Sequence, residues 1–71
     1  MPPSITIKHQ PVELFKLLKF ESLASSGGEA KNLIANGQVK VNGEIELRKR
    51  RKILAGDRIE FAGETFRVEL E

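Results

Sequence analysis

The sequence contains no cysteine, no tryptophan, no tyrosine and a single histidine, His9. Without cysteine the chain has no disulfide, no thiolate zinc site and no thiol nucleophile. A metal site built on one histidine needs carboxylate partners, and His9 has no evident serine or acidic partner for catalysis. The composition therefore argues against a small enzyme, and we expect no catalytic residues, no metal and no cofactor.

Long apolar runs are also missing. No run approaches the roughly 18 residues of a membrane span, and residues 1–4 lack the basic and apolar parts of a secretory signal. The 71 residues suffice for one domain, and such a chain buries only about 60% of its unfolded surface. We expect a flexible lead at residues 1–4, one domain at residues 5–71, and a cytoplasmic monomer that does not associate with a membrane.

The net charge of +2 hides an uneven distribution. Residues 1–30 carry three lysines and three glutamates, residues 31–58 carry eight cations and three carboxylates, and residues 59–71 carry one arginine and four glutamates. Five cations in the middle segment are adjacent, from Arg48 to Lys52. Adjacent like charges repel one another, and phosphate binding gives a reason for them inside a folded domain. A solvated loop and a targeting signal are the alternatives.

Two helices are predicted in the first half of the chain. Pro11 suits a first helical turn, and apolar residues recur at helical spacing after it, which predicts a helix over residues 11–19. A capping-box pattern begins at Ser26, and Gly37 can end a helix in the left-handed conformation. These signals predict a second helix over residues 27–36.

Short strands are predicted at the start of the chain and after the second helix. Alternating residues mark strands at 5–8, 39–41, 44–47, 58–61 and 65–70, and Asn42-Gly43 is a strong hairpin-turn signal. The predicted inward residues are Val39, Val41, Ile45, Leu47, Ile53, Ile59, Phe61, Phe66, Val68 and Leu70, packed against Leu14, Phe15, Leu18, Leu33 and Ile34. The fold class is therefore α+β, with two helices on one face of a small, mostly antiparallel sheet. Few large apolar residues remain to line a substrate pocket.

The start of the second helix is another candidate anion site. A helix start offers free N–H groups and partial positive charge, Gly27 and Gly28 let a phosphate approach the backbone, and Lys31 follows one turn later. The alternative is that Glu29 already caps this end. The chain has no tyrosine or tryptophan, and its phenylalanines occupy apolar positions, with Phe20 as the one candidate for exposure. We therefore expect phosphates, sugar hydroxyls and helical shape to dominate any RNA recognition.

The segment from Val12 to Phe61 contains a specific order of residues. With the intervening positions left out, it reads Ala30, Leu33, Ile34, Gly37, Val39, Lys40, Val41, Asn42, Gly43, Gly56 and Asp57. This order resembles the S-four RNA-binding domain, which is named after small-subunit ribosomal protein four. The short length, the Gly-Glu-Ala-Lys stretch at 28–31 and the run at 48–52 resemble its small stand-alone bacterial members, the YbcJ-like group.

The resemblance implies an αL-type RNA-binding fold whose helices and small sheet form one RNA-facing surface, and it implies binding without catalysis. By position, it places Lys31, Lys40 and residues 48–52 on or near that surface. Many members carry Ser-Arg where this chain has Gly28-Glu29, so Lys31 and the basic run would have to replace an arginine contact.

We therefore predict a protein that binds structured RNA, either ribosomal or transfer RNA, with possible association to the ribosome or its assembly. The predicted contact residues are Gly27, Gly28, Lys31, Lys40, Arg48, Lys49, Arg50, Arg51 and Lys52. The alternative is a protein-interaction module that docks an acidic partner such as a ribosome-assembly factor. DNA binding is less favoured because no helix carries the basic run.

Overall fold

The computed structural model describes residues 3–71, so Met1 and Pro2 of the predicted lead lie outside the described residues. Its elements are β1 (Ser4–Ile7), β2 (Val12–Glu13), α1 (Leu14–Phe20), α2 (Gly27–Ala35), β3 (Val39–Val41), β4 (Glu44–Ile45), β5 (Lys52–Ile53), β6 (Arg58–Phe61) and β7 (Glu64–Leu70). Ser4, which we assigned to the lead, belongs to β1. Among residues 3–71, neither helix has the length and apolar character needed to cross a membrane.

The main sheet has five strands in the order β1-β7-β6-β3-β4. β1 runs parallel to β7, and every other neighbouring pair is antiparallel. β2 and β5 form a separate antiparallel pair, in which Val12 faces Ile53 and Glu13 faces Lys52. The predicted α+β class with a mostly antiparallel sheet is confirmed.

The core lies between the two helices and one face of the main sheet. Its buried apolar residues are Ile5, Ile7, Val12, Leu14, Leu17, Leu18, Ala24, Ala30, Ile34, Val39, Val41, Ile53, Ile59 and Val68. Phe15, Leu23, Leu33, Phe61 and Phe66 pack against this cluster and stay half-buried. This single layer of aliphatic side chains is the thin core expected for a chain of this length.

Three residues predicted to lie in the core are exposed. Ile45, Leu47 and Leu70 are 58%, 59% and 47% exposed. The two-residue turn after Val41 pairs Lys40 with Ile45, so these two side chains share the outer face of the sheet. β4 ends at Ile45, which leaves Leu47 outside the ladder. Leu70 pairs with the buried Ile7 and shares its face of the sheet, but it is the last residue of β7.

The first helix begins three residues later than predicted. Pro11 follows a cis peptide bond and precedes β2, and α1 begins at Leu14. Val12 contributed to the apolar spacing that predicted a helix from Pro11, but it lies in β2. It is buried where it pairs with Ile53 of β5, not on a helical face. The predicted helix was therefore wrong over its first turn.

The second helix is confirmed, with a small change at its start. The Ser26 hydroxyl oxygen accepts a hydrogen bond from the Glu29 N–H at 3.1 Å, as a capping residue does. The Glu29 carboxylate accepts from the Ser25 N–H and hydroxyl, at 3.3 and 2.7 Å, where a capping box would use Ser26. At the other end Gly37 adopts a φ of 75°, the left-handed conformation predicted for it.

Candidate nucleic-acid interface

The beginning of α1 meets the segment that carries the basic run. The N–H groups of Leu14 and Phe15 donate to the carbonyl oxygens of Arg51 and Lys49, at 2.9 and 3.0 Å. No side chain caps the start of α1, so these two carbonyls satisfy N–H groups that a helix leaves unpaired. The basic run is therefore attached to α1 through its own backbone.

The ring of Phe15 lies beneath cations from three elements. The Lys31 Nζ of α2 is 4.7 Å from the ring centroid, the Arg50 Cζ is 5.4 Å away, and the Lys16 Nζ of α1 is 5.9 Å away. All three distances fall within the range of cation–π attraction. The ring also lies against the start of α2, since a Cβ on Gly27 would be 3.8 Å from it. Phe15 thus gathers positive charges that are far apart in the sequence.

A buried carboxylate holds the basic run itself in shape. The Glu46 side chain is only 8% exposed, and it accepts hydrogen bonds from Arg48 Nε at 2.9 Å, Arg48 Nη2 at 3.1 Å and Arg51 Nη1 at 2.7 Å. It also accepts from the Arg48 backbone N–H at 3.0 Å. Hydrogen bonds from Arg48, partly opposed by burial, and from Arg51 lower the pKa of Glu46 from 4.5 to about 2.

A second carboxylate, that of Glu13, pairs with two of the cations around Phe15. Glu13 accepts from the Lys16 Nζ at 3.1 Å and from Arg50 Nη1 at 3.4 Å. These bonds, with that from Lys16 the strongest, lower the pKa of Glu13. Lys52 faces Glu13 across the β2–β5 pair, so it lies beside the same group. Within residues 3–71, Lys49 and Lys52 make no ion pair, whereas Arg48, Arg50 and Arg51 each have a carboxylate partner.

The start of α2 has backbone N–H groups that could contact an anion, as predicted, and a carboxylate that would repel one. Among the described residues, no acceptor pairs with the N–H groups of Gly27 and Gly28. The Ser26 hydroxyl takes only the Glu29 N–H, and the bonds from Ser25 lower the pKa of the Glu29 carboxyl, so it carries a negative charge near this end. The predicted phosphate contact at Gly27 and Gly28 therefore stays a prediction, with Glu29 working against it.

Lys40 is not brought together with the other predicted residues. Val39 and Val41 are buried against the helices, so Lys40 between them points to the outer face of the sheet. It lines a depression beside Glu60 and the turn between β6 and β7, near the C-terminal end of α2. The contact residues at the start of α2 lie at the opposite end of that helix. The structure therefore separates Lys40 from Lys31 and the run at 48–52, and the RNA contact predicted for Lys40 stays a prediction.

The other predicted cations, together with Lys16, form one group, which we call the basic surface. Its members are Lys16, Lys31, Arg48, Lys49, Arg50, Arg51 and Lys52. Sequence reasoning missed three residues that organise it: Glu13 and Glu46 as partners of its arginines, and Phe15 as the ring beneath its cations. Only the apolar spacing of Phe15 was visible in the sequence, and that pattern predicts core packing. Within residues 3–71, no three acidic or histidine side chains are grouped as a metal site requires.

Comparison with known proteins places this geometry in a family. The S4 domain family matches residues 5–69. Among curated proteins, YbcJ of Escherichia coli (strain K12) is 54% identical over 61 residues, which are 86% of this chain and 87% of that protein. A Bacillus subtilis (strain 168) protein named "Probable ribosome maturation protein RlbA" is 35% identical over 63 residues, 89% of each chain.

Solved structures give the same result. The solution structure of Escherichia coli YbcJ, described as revealing an αL motif involved in RNA binding, superposes with a TM-score of 0.71 at 47% identity and covers 97% of this chain and 89% of that one. The 30S ribosomal protein S4e of Thermoplasma acidophilum superposes with a TM-score of 0.70 at 34% identity, over 84% of this chain and 32% of that protein. The chain belongs to the S4 domain family and has the αL-type fold of its YbcJ-like members.

Proposed function

We propose that the protein binds structured RNA, with ribosomal RNA favoured over transfer RNA, through phosphate contacts made by the basic surface. The observation that carries this proposal is the convergence of cations from α1, α2 and the run at 48–52 around the ring of Phe15. The basic surface carries seven cations against two carboxylates, Glu13 and Glu46, and this excess of positive charge attracts polyanions. An isolated solvated loop would not need partners from two helices.

The relatives support the choice of RNA over other polyanions. The matched structure of YbcJ is described by its RNA-binding motif, and S4e and the B. subtilis relative are named for the ribosomal subunit and for ribosome maturation. These names favour a ribosomal target for this chain. They describe binding and assembly rather than catalysis, in keeping with a binding protein.

The geometry favours recognition of backbone and shape over base identity. The ring of Phe15 is half-buried and covered by cations, so it does not offer an open face for base stacking. Phe20 is 66% exposed and lines a depression with Lys16 and Lys52, but one exposed ring is not the row of stacked aromatics with which proteins bind successive bases. Lysine and arginine contacts to phosphates fix the position of a nucleic acid without reading its sequence.

The test compares two charge-matched triple variants in a salt titration of RNA binding. One removes Lys31, Lys49 and Arg50 from the basic surface by substitution with glutamine. The control makes the same change at Lys40, Arg58 and Arg67, which the strand register places on the outer face of the sheet. A labelled RNA hairpin, a single strand of equal length and the matching DNA hairpin serve as ligands in fluorescence anisotropy.

For the wild-type protein we expect the logarithm of the affinity to fall with the logarithm of the salt concentration. For four or five phosphates the slope should be about −3 on the single strand and about −4 on the hairpins. The basic-surface variant should lose most of its affinity and bring the slope closer to zero by about 2, since each phosphate contact contributes about 0.7–0.9. The outer-face variant should stay close to the wild type. Equal losses in both variants would mean that net charge alone drives binding.

The rival proposal, an acidic protein partner, predicts a different result. Affinity capture from lysate before and after ribonuclease treatment separates the two. Partners that are lost after the treatment support RNA binding, and partners that persist while the hairpin shows no salt-dependent binding contradict it.

A further inference from the structure

Glu46 is the one buried carboxylate among the described residues, and it lies directly beneath the basic run. We propose that Glu46 is a positioning residue for RNA binding: its negative charge supports binding of a polyanion because it holds the run at 48–51 in one conformation. This inference rests on the proposed function. It assigns to an acidic residue a role that charge counting would assign only to cations.

Residues 48–51 form a turn, and Glu46 binds both of its ends. The Arg51 N–H donates to the Arg48 carbonyl oxygen at 3.3 Å, so Arg48–Arg51 forms a turn with Lys49 and Arg50 at its tip. Glu46 binds the side chains at both ends of this turn, Arg48 in a bidentate manner and Arg51 from the other side. Bidentate arginine–carboxylate pairs are strong and fix orientation as well as distance.

The Glu46 carboxylate reduces the repulsion among the adjacent cations of the run. Five adjacent cations favour conformations that spread their charges apart. Because Glu46 offsets charge at the two ends of the turn, Lys49 and Arg50 stay together at the tip, where their side chains are exposed. A turn that is ordered before binding loses less entropy when the RNA binds.

The turn also has a fixed place on the domain. Its carbonyls at Lys49 and Arg51 accept from the N–H groups of Phe15 and Leu14. This attachment brings Arg50 over the Phe15 ring, next to Lys31 of α2. If the turn loosens, Arg50 no longer stays close to the Phe15 ring and to Lys31.

The experiment uses two substitutions that remove the same charge. Glu46→Gln removes the buried carboxylate, and Glu44→Gln removes an exposed one two residues earlier that has no hydrogen-bond or ion-pair partner within residues 3–71. Both variants gain one unit of positive charge. On charge alone, both should bind an RNA hairpin slightly more tightly at low salt.

We expect only one of the two variants to lose affinity. Glu44→Gln should equal or slightly exceed the wild type, whereas Glu46→Gln should bind about tenfold more weakly, the equivalent of about 1.4 kcal/mol. In a double-mutant cycle, Glu46→Gln should cost much less once Arg48 is replaced by glutamine, since much of its effect passes through Arg48. Loss of fold stability alone would not show this dependence.

Two observations on the free protein check the cause. In nuclear magnetic resonance spectra, the Arg48 Nε–H should give a protected signal in the wild type that disappears in Glu46→Gln. The amide protons of Leu14 and Phe15 should exchange faster in Glu46→Gln, because the carbonyls that accept from them become mobile. Circular dichroism establishes that the variant is folded before binding is measured.

Each result bears on the proposal. Tighter binding by Glu46→Gln, matching Glu44→Gln, overturns the positioning role and leaves the proposed RNA binding intact. If the wild type binds no RNA, the proposed function falls and this inference falls with it. If Glu46→Gln does not fold, Glu46→Asp keeps the charge and shortens the reach, and unchanged hairpin affinity in that variant overturns the proposal while weaker binding supports it.

Discussion

Neutralising Glu46 should make the stability of the protein less dependent on pH. Hydrogen bonds from Arg48 and Arg51 lower the pKa of this carboxyl from 4.5 to about 2 in the folded state. Because the folded-state pKa lies below the unfolded value, ionised Glu46 stabilises the fold above pH 4.5, and that stabilisation is lost as the pH falls towards 2.

The size of this effect follows from the pKa values and the exposure of the partners. One pKa unit corresponds to about 1.4 kcal/mol, so the full shift sets an upper limit of about 3 kcal/mol. The Arg48 side chain is 73% exposed, and solvent screening of that partner reduces the expected contribution to about 1–2 kcal/mol. For a domain of this length, whose core rarely supplies more than about 3–5 kcal/mol, such a loss is large.

Urea unfolding of the wild type, Glu46→Gln and Glu44→Gln at a series of pH values measures this contribution. The wild type should exceed Glu46→Gln by about 1–2 kcal/mol near neutral pH, and the difference should vanish as the pH approaches 2. Glu13 and Glu29, whose pKa values are also lowered, remain in both proteins and cancel in the comparison. A difference that stays constant over the whole range would refute the assignment of the effect to the Glu46 charge.

Three further predictions concern the core, the ring and one turn. Ile34→Ala leaves a cavity at a fully buried site and should lower the free energy of unfolding, measured by urea titration, by about 2–5 kcal/mol. A loss below about 1 kcal/mol would contradict the packing. Phe15→Leu removes the cation–π partner of Lys31 and Arg50, and hairpin affinity in anisotropy should fall by about twofold to tenfold with circular dichroism unchanged. Ala62 adopts a φ of 55°, so Ala62→Asn should raise the free energy of unfolding by about 0.5–1 kcal/mol and the urea midpoint with it, and a lower midpoint would contradict that turn conformation.

Local signals in the sequence predicted the second helix and the hairpin turn because each depends on neighbouring residues only. The Ser26 hydroxyl binds the N–H three residues on, and Gly37 supplies the left-handed helix end. Asn42 and Gly43 have φ values of 54° and 86°, as a two-residue hairpin turn requires. These elements could be predicted without knowing what they pack against.

Elements that depend on a distant partner could not be predicted in the same way. The local pattern assigns Val12 to a helix. Val12 belongs to a strand because it pairs with Ile53, forty-one residues later in the sequence. The alternation from Glu44 to Leu47 predicts an inward Ile45, but the register with Lys40 puts Ile45 outside. Tertiary pairing decided both cases against the local pattern.

The candidate site shows the same division. The charges of the run at 48–52 were visible in the sequence, as was Lys31. Glu46 appeared to be an outward residue of a strand, and only the folded turn shows it buried between Arg48 and Arg51. Lys40 carries the same charge as Lys31 and lies on the other side of the sheet, because a strand alternates its faces at every residue.

Amide chemical-shift changes on addition of an RNA hairpin locate the RNA on the protein. We expect the largest changes at Phe15, at residues 27–31 and at residues 48–52, and little change on the outer sheet face with Lys40, Arg58 and Arg67. Changes concentrated on that outer face, or spread evenly over both faces, would contradict the assignment of RNA binding to the basic surface.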